Sequence, residues 1–414
     1  LRQVTQTIHT HSLGNGLVLV AEPIPSLESA AFSFLIPAGC CSDPPDRHGL
    51  TAFTCEMALR GAGPRDNRAF VEALENLGVE RHESVSVEHT VLAGASLASH
   101  LPDALTLYSD LLRAPHLPPV ELEAGRMVVL QELRAIEDEP SQKVMMELRR
   151  RQFPDPWGRS SQGERDALEA ITIDEIREQY RKLYRPNGTI LGVAGRFDWP
   201  QLKDHVERVL GDWKTVAFQR PQESKAPQKH AHVAFESNQT QIGIAYESIP
   251  YRHPDYFRAW GSVGVLSGGM SSRLFTEVRE RRGLCYSVYA SLQTQRERAG
   301  VFCYAGTSER RAQETLDVTI AELSRLAEGI EAAELDRLKA RIKSGLIMQQ
   351  ESSSARSSAV ARDWYHLGHV RTLDELGRLV DELSCDSINS FLSEHPPRDF
   401  AVVTLGSSPL QVPA

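Results

Sequence analysis

The sequence predicts an α+β protein made of two homologous domains, each a mainly antiparallel β-sheet with helices packed on one face. Three observations carry this reading. The chain has 414 residues, too many for one ordinary domain. Strand-like runs come in clusters followed by long helical runs, without the strict alternation of a parallel α/β sheet. Two distant stretches also repeat one another: "ITIDEIREQYRKLYRPNGTILGVAG" (171–195) and "LSCDSINSFLSEHPPRDFAVVTLG" (383–406). Both run apolar-x-x-Asp-x-Ile, then a helical stretch, a Pro-containing turn and a short β-branched strand ending in Gly. Asp174 aligns with Asp386 and Ile176 with Ile388, at the same offset of about half the chain. Each Asp is read as an N-terminal helix cap.

The elements follow in order within each half. In the first, "NGLVLVAE" and "SAAFSFLIPAG" are β-rich runs bounded by turn residues; in the second, "HAHVAFES" and "TQIGIAYESIP" play that part. Later strand pairs are "VERHESVSVEHTVLAGAS" (79–96) and "GLCYSVYASLQTQRERAGVFCYAGT" (283–307). Long helices are expected in "PPVELEAGRMVVLQELRAIEDE" (118–139) and "EAAELDRLKARIKSGLIMQQESS" (331–353). The join, "KTVAFQRPQESKAPQKHAH", is polar and carries Pro221 and Pro227, as a linker does. The expected division is therefore a domain over 1–213, a linker over 214–232 and a domain over 233–414.

Bulk composition narrows the function. Hydrophobic residues make up 41% of the chain and charged residues 24%, enough for sizeable cores in ordinary globular material. A formal net charge of −9 speaks against nucleic acid or an anionic membrane as the main partner. No window approaches the ~18 apolar residues of a membrane span. The first residues show no basic-then-apolar signal, although a start at Leu1 leaves a removed targeting segment open. None of the six cysteines stands in a Cys-x-x-Cys arrangement, so they are read as buried small hydrophobes in a reducing compartment. A cytoplasmic protein is expected.

The stretch "GLTAFTCEMALRG", Gly49 to Gly61, and the stretch "LSGGMSSRLFTEVRERRGLCYSVYAS", 266–291, together resemble the pitrilysin/insulinase family of zinc peptidases, the inverzincins, in its short-chain, processing-peptidase-like branch. The family carries His-x-x-Glu-His on a helix, two His one turn apart sharing a metal and a Glu acting as base on the metal-bound water. A typical member reads Gly-Leu-Ala-His-Phe-Leu-Glu-His-Met-Leu-Phe-Lys-Gly. Aligned without gaps, Ala52 stands where the first His belongs, Cys55 replaces the catalytic Glu and Glu56 replaces the second His. "RMVVLQELRAIEDEP" resembles the family's further signature and places Glu132 at the third ligand position. The supporting carboxylate seven residues earlier is Gly125. One of three ligands remains, so no metal is expected in this chain. His48 is read as a loop or first-turn residue and Cys55 as packing. Glu56 and Glu132, brought together without a metal, would repel; one should turn to solvent, find an Arg or Lys, or hold a proton.

The second-half stretch matches the family almost residue for residue. "MSSRLFTEVRERR" is helical in pattern, with Leu274 and Val278 one turn apart, and "LCYSVYA" continues as a strand. Arg279 and Tyr286 match an Arg/Tyr pair that, in the family, reaches toward the scissile peptide. A guanidinium and a phenol both donate hydrogen bonds to a peptide carbonyl and to the oxyanion that forms from it.

The resemblance implies a non-catalytic, substrate-binding subunit of a heterodimeric zinc metallopeptidase. Arg279 and Tyr286 would orient peptide over the zinc of a homologous His-x-x-Glu-His partner, and the chain alone would be inactive or a homodimer. The zinc belongs to the partner; no cofactor is expected here, and the substrates implied are peptides, bound by strand addition at an edge near "SVSVEHTVLAGAS". A scaffold subunit without a part in proteolysis is the second reading. An active peptidase with an atypical metal or a Cys55 nucleophile is the third.

Overall fold

The structure, a computed structural model, describes residues 6–218 and 221–413. Residues 1–5, part of the stretch read for a signal segment, and 219–220, inside the expected linker, lie outside the described residues. The strands are β1 (His9–Ser12), β2 (Val18–Pro23), β3 (Ser29–Ile36), β4 (Gly61–Ala62), β5 (Arg65–Asp66), β6 (Glu80–Val85), β7 (Thr90–Leu97), β8 (Ile190–Gly195), β9 (His230–Ala234), β10 (Gln239–Ser248), β11 (Cys285–Thr294), β12 (Ala299–Ser308) and β13 (Ala401–Gly406). The helices are α1 (Leu50–Ala58), α2 (Asn67–Asn76), α3 (Leu101–Arg113), α4 (Leu122–Glu137), α5 (Pro140–Gln152), α6 (Arg165–Ala170), α7 (Ile173–Leu183), α8 (Trp199–Leu210), α9 (Tyr256–Ser267), α10 (Ala312–Arg325), α11 (Ala332–Gln349), α12 (Ser353–Leu367), α13 (Leu373–Asp381) and α14 (Cys385–Glu394), with a π-helix over Phe275–Arg281. The α+β class and the two sheet-and-helix domains are as the sequence predicts.

By packing, the chain forms two compact units: 1–134 with 159–222 and 347–373, and 135–158 with 223–346 and 374–414. Chain order and packing thus divide the molecule differently. The main segment of the second unit begins inside the expected linker, at Glu223, and β9 already starts at His230. Each unit also takes in one helical segment from the other half of the chain.

In the first unit, six strands run β1-β2-β8-β3-β7-β6. Side chains alternate along β3, so Phe32, Phe34 and Ile36 enter a core with Leu92, Leu105 and Tyr108 while Leu35 faces the other way. That other face, with Val20, Leu35 and Ile190, is covered by Val360 and Ala361 of α12. β6 is the edge strand and pairs only with β7, so one side of its backbone is open to a further strand. The stretch "SVSVEHTVLAGAS", near which an edge is expected, holds the end of β6 and most of β7, and β7 is interior, between β3 and β6.

In the second unit, five strands run β11-β12-β10-β13-β9. Taken from its other end, this order repeats β2-β8-β3-β7-β6, down to the single parallel pair, β9–β13 here and β2–β8 there. Ile242, Ile244 and Tyr246 face α9, α10 and α14, while Ala245, Phe302 and Val403 are covered by Val144 and Leu148 of α5. The duplicated helices are α7 and α14, with Ile176 and Ile388 both fully buried. Their caps differ from the expectation. Thr172 and Ser384 cap the helices through reciprocal capping boxes, whereas Asp174 and Asp386 sit at the second helical position, within the first turn. Hydroxyl residues one step outside each helix reach the free N–H groups, and the two carboxylates instead favour the positive end of the helix dipole.

Candidate functional site

The helix α1 is set by the loop before it. Asp43 is buried and accepts from the backbone N–H groups of Gly49 and Thr51, both at 2.8 Å, and from the Thr51 hydroxyl at 2.6 Å. Burial pushes its carboxyl up, against the pull of these bonds. Gly49 takes the left-handed φ of 99° needed where the loop enters the helix. The frame that would present ligands is thus built in full.

The side chains on that frame do not form a metal site. Ala52 offers no donor atom. Cys55 is buried in the core of the first unit with Leu92, Tyr108 and Tyr184, and burial pushes its thiol up to about 12. A neutral thiol sealed in apolar surroundings is neither a ligand nor a nucleophile at neutral pH. His48 turns away and places Nδ1 3.1 Å from Glu164. Among the described residues no group of three or more His, Cys, Asp or Glu side chains is arranged to hold a metal ion.

Glu56 has found a cation. Arg60, one turn further on, donates to its Oε1 from Nε at 3.1 Å and from Nη2 at 2.6 Å, and reaches Glu121 with Nη1 at 2.9 Å. Asn67 donates to the same Glu121 oxygen at 2.7 Å. A Cβ on Gly125 would stand 2.7 Å from Met57 Sδ, 3.1 Å from Phe53 and 3.3 Å from Arg60 Nε. The position where the family resemblance calls for a supporting carboxylate is therefore closed by Phe53, Met57 and the guanidinium itself. A fixed positive charge stands beside the degenerate ligand position and pairs with Glu56 and Glu121. Sequence reading misses Arg60, although its spacing four residues after Glu56 is that of a helical ion pair. With side-chain exposures of 13% for Arg60 and 22% for Glu56, the pair is mostly desolvated. Arg60→Leu is expected to lower the unfolding free energy by about 1–3 kcal/mol, below the cost of breaking a fully buried pair because water still reaches the carboxylates; urea unfolding at pH 7 measures it.

Glu132, on the exposed side of α4, has no such partner among the described residues, and partial desolvation followed by the charge of Glu56 raises its carboxyl above the ordinary range. Glu83, on β6, is a second residue that the sequence does not single out. Burial, and beyond it the nearby Glu56, raises its carboxyl, while Arg81 and His82 oppose this. One of its oxygens is buried without a hydrogen bond among the described residues.

In the second unit, Arg279 and Tyr286 do come together. The segment expected to be an ordinary helix is wound as a π-helix over Phe275–Arg281, with Leu274 and Val278 fully buried beneath it. Extra-wide turns of this kind re-aim side chains and gather at functional positions. Arg281 and Arg282 both clamp the Glu277 carboxylate, at 2.5 and 2.7 Å, and fix the end of the segment. The strand register then slips between Cys285 and Ser287, a bulge centred on Tyr286. The result is a guanidinium held between two rings: Arg279 Cζ lies 4.7 Å from the centroid of Phe275 and 4.8 Å from that of Tyr286. Tyr286 remains 81% exposed. No carboxylate pairs with Arg279 among the described residues, and the two rings hold its guanidinium.

Comparison with known proteins gives the context. A family model described as "Insulinase (Peptidase family M16)" matches residues 18–160, and one described as "Peptidase M16 inactive domain" matches residues 170–342. An uncharacterized zinc protease of Bacillus subtilis is 26% identical, covering 97% of this chain and 98% of its own. One from Streptomyces coelicolor is 27% identical, covering 93% and 86%. Among solved structures, a peptidase M16 inactive domain from Pseudomonas fluorescens superposes with a TM-score of 0.90 at 20% identity, covering 98% of this chain and 100% of its own. A chain of complex III2 from Candida albicans does so with a TM-score of 0.82 at 17% identity, covering 97% and 96%. Among the described residues no helix is long and apolar enough to cross a membrane.

Proposed function

The chain belongs to the insulinase family of peptidases, M16, and from that premise we propose that it is the non-catalytic, substrate-orienting subunit of a heterodimeric zinc metallopeptidase. The observation that carries the proposal is the contrast between its two motifs. Where zinc would sit, Ala52 has no donor, Cys55 is buried, Glu56 is paired with Arg60, and Glu132 is the one ligand position kept. Where substrate is held in the family, Arg279 and Tyr286 are intact and in contact, and the tyrosine is exposed. A folding requirement does not account for a tyrosine at 81% exposure.

In this reading a homologous His-x-x-Glu-His chain supplies the zinc and the general base. Arg279 donates to the carbonyl oxygen of the bound peptide and to the oxyanion that develops on it, and the Tyr286 hydroxyl supplies a second donor. Neither residue attacks the peptide bond; both would lower the barrier for attack by water on that carbonyl, water that the partner's zinc and base would activate. The substrates are peptides or unfolded segments in extended form, for which the open edge of β6 offers backbone pairing. The setting proposed is the cytoplasm.

The likeness to a chain of complex III2 supports a second reading, a scaffold subunit with no part in proteolysis. One experiment separates the two. Zinc content and peptidase activity are measured on this chain alone, then after mixing with a His-x-x-Glu-His homologue from the same organism. The expected result is no stoichiometric zinc and no cleavage alone, with activity on mixing above that of the homologue by itself. Zinc or cleavage with this chain alone would overturn the proposal, and mixing without effect would favour the scaffold.

A further inference from the structure

A cavity of about 150 Å³ opens in the second unit between α9, α11 and the loop "SGGMSS". Gly268, Ser271, Ser272, Glu334, Arg337 and Arg341 line its polar side. Arg337 and Arg341 are four residues apart on α11, so both project from one face of that helix. Neither forms an ion pair or hydrogen bond among the described residues, in a chain that pairs most of its other arginines. Arg341 is pressed so closely on the loop that a Cβ on Gly268 would lie 2.2 Å from its Nη1. The hydroxyls of Ser271 and Ser272, in the same lining, also make no hydrogen bond among the described residues.

The one carboxylate in the lining does not cancel this charge. Glu334 is gripped by Arg273 at 2.7 and 2.8 Å and accepts the backbone N–H of Glu331 at 2.8 Å. Burial works against its ionisation, but the bonds from Arg273 and Glu331 outweigh it, and the carboxyl is held below its usual range. The Arg273–Glu334 pair is neutral as a unit, which leaves two unpaired guanidinium groups and two free hydroxyls around one small space.

We infer that this cavity binds a phosphate group, free or as part of a small molecule. A volume of about 150 Å³ leaves room for a phosphoryl group. The lining offers two guanidinium groups and two hydroxyls, four donor groups around one guest. That suits a tetrahedral oxyanion with three or four acceptor oxygens better than a planar carboxylate with two. The glycine-rich loop lets a cation lie against its backbone, where a side chain would have displaced it. The inference is independent of the role proposed for Arg279 and Tyr286.

The test is calorimetric titration of the full chain with inorganic phosphate, pyrophosphate and acetate at fixed ionic strength. Phosphate and pyrophosphate are expected to bind one to one. Arg337→Gln or Arg341→Gln should each weaken that binding by about 10-fold or more, and the double variant by about 100-fold, the scale of a lost charge-assisted bond. Both arginines are exposed, so the variants should keep the circular dichroism of the parent. Lys343, on the same helix but paired with Asp381 at 2.5 Å, supplies the control, and Lys343→Gln should leave binding unchanged. Three results would each overturn the inference: no binding at about 10 mM phosphate or pyrophosphate, a double variant that binds like the parent, or an equal loss in Lys343→Gln, which would mean diffuse charge. Acetate competing as strongly as phosphate would overturn the choice of anion. Pyrophosphate bound far more tightly than phosphate would assign the site to a diphosphate-bearing molecule, and equal affinities to free phosphate.

Discussion

Arg356→Ala is expected to lower the unfolding free energy of the first unit by about 3–5 kcal/mol, the cost of breaking a fully buried ion pair. Arg356 is 2% exposed and its partner Glu22 4%, so neither charge has water to fall back on. Nε and Nη2 of Arg356 meet Glu22 Oε2 at 2.8 and 2.7 Å, and Gln6 donates to the other carboxylate oxygen at 2.6 Å. Gln6 in turn accepts the backbone N–H of Leu373 at 2.7 Å. The network therefore ties both ends of the segment carrying α12 to β2 and the chain before it. Removing the arginine strands a buried carboxylate, and the cost is that of the stranded charge more than of the bond. For the same reason the double variant Glu22→Leu/Arg356→Met should recover most of the loss, because an apolar pair of similar volume has no charge to desolvate. Urea unfolding of the single and double variants checks this. A loss under about 1 kcal/mol for Arg356→Ala, or a double variant worse than the single, would show that apolar packing of Val360 and Ala361 holds α12 without help from the ion pair.

The same segment shows what sequence reasoning can and cannot reach. Strand runs, the long helices and the internal repeat are legible because they are local patterns: β-rich runs such as "SAAFSFLIPAG" bounded by turn residues, the long helical run over 118–139, and the paired apolar anchors Ile176 and Ile388. The exchange of helical segments is not. Whether α12 covers one sheet or another is decided by contacts between residues hundreds apart, such as Arg356 with Glu22, and no local period encodes that choice. Sequence reading sets the caps two residues late because Asp174 and Asp386 are stronger cap formers by type than their position permits. Thr172 and Ser384 have the extended backbone that a cap requires. At the degenerate metal site, the missing ligands can be read directly from Ala52, Cys55 and Glu56. The closure of the space cannot, since it depends on Gly125 admitting Arg60 from another element. The π-helix under Arg279 is hidden for a related reason. Leu274 and Val278 satisfy the ordinary helical period, and the wider winding is set by the Glu277 clamp and the bulge at Tyr286.

Arg279→Ala in this chain is expected to reduce peptide turnover by the mixed heterodimer by about 10²–10³, the effect of deleting one oxyanion donor. Assembly should be untouched, because among the described residues the side chain makes no ion pair or hydrogen bond and touches only the rings of Phe275 and Tyr286. Tyr286 needs two variants, because its ring and its hydroxyl do different work. The ring lies 4.8 Å from the guanidinium and, with Phe275, keeps Arg279 in one orientation. The hydroxyl is free to donate to substrate. Tyr286→Phe keeps the ring and removes the donor; Tyr286→Ala removes both and frees Arg279 to swing. If the phenol donates in the transition state, Tyr286→Phe lowers turnover nearly as far as Tyr286→Ala, with KM little changed. If the ring only positions Arg279, Tyr286→Phe behaves as the parent and Tyr286→Ala falls to the level of Arg279→Ala, since an unheld guanidinium loses the preorganisation that makes it useful. The double variant Arg279→Ala/Tyr286→Ala then separates the cases further: two independent donors multiply their losses, whereas a donor and its support lose no more together than the donor loses alone. Turnover equal to the parent in all of these, with the heterodimer intact by size-exclusion chromatography, would remove the chemical reason for keeping the pair and leave the scaffold reading in its place.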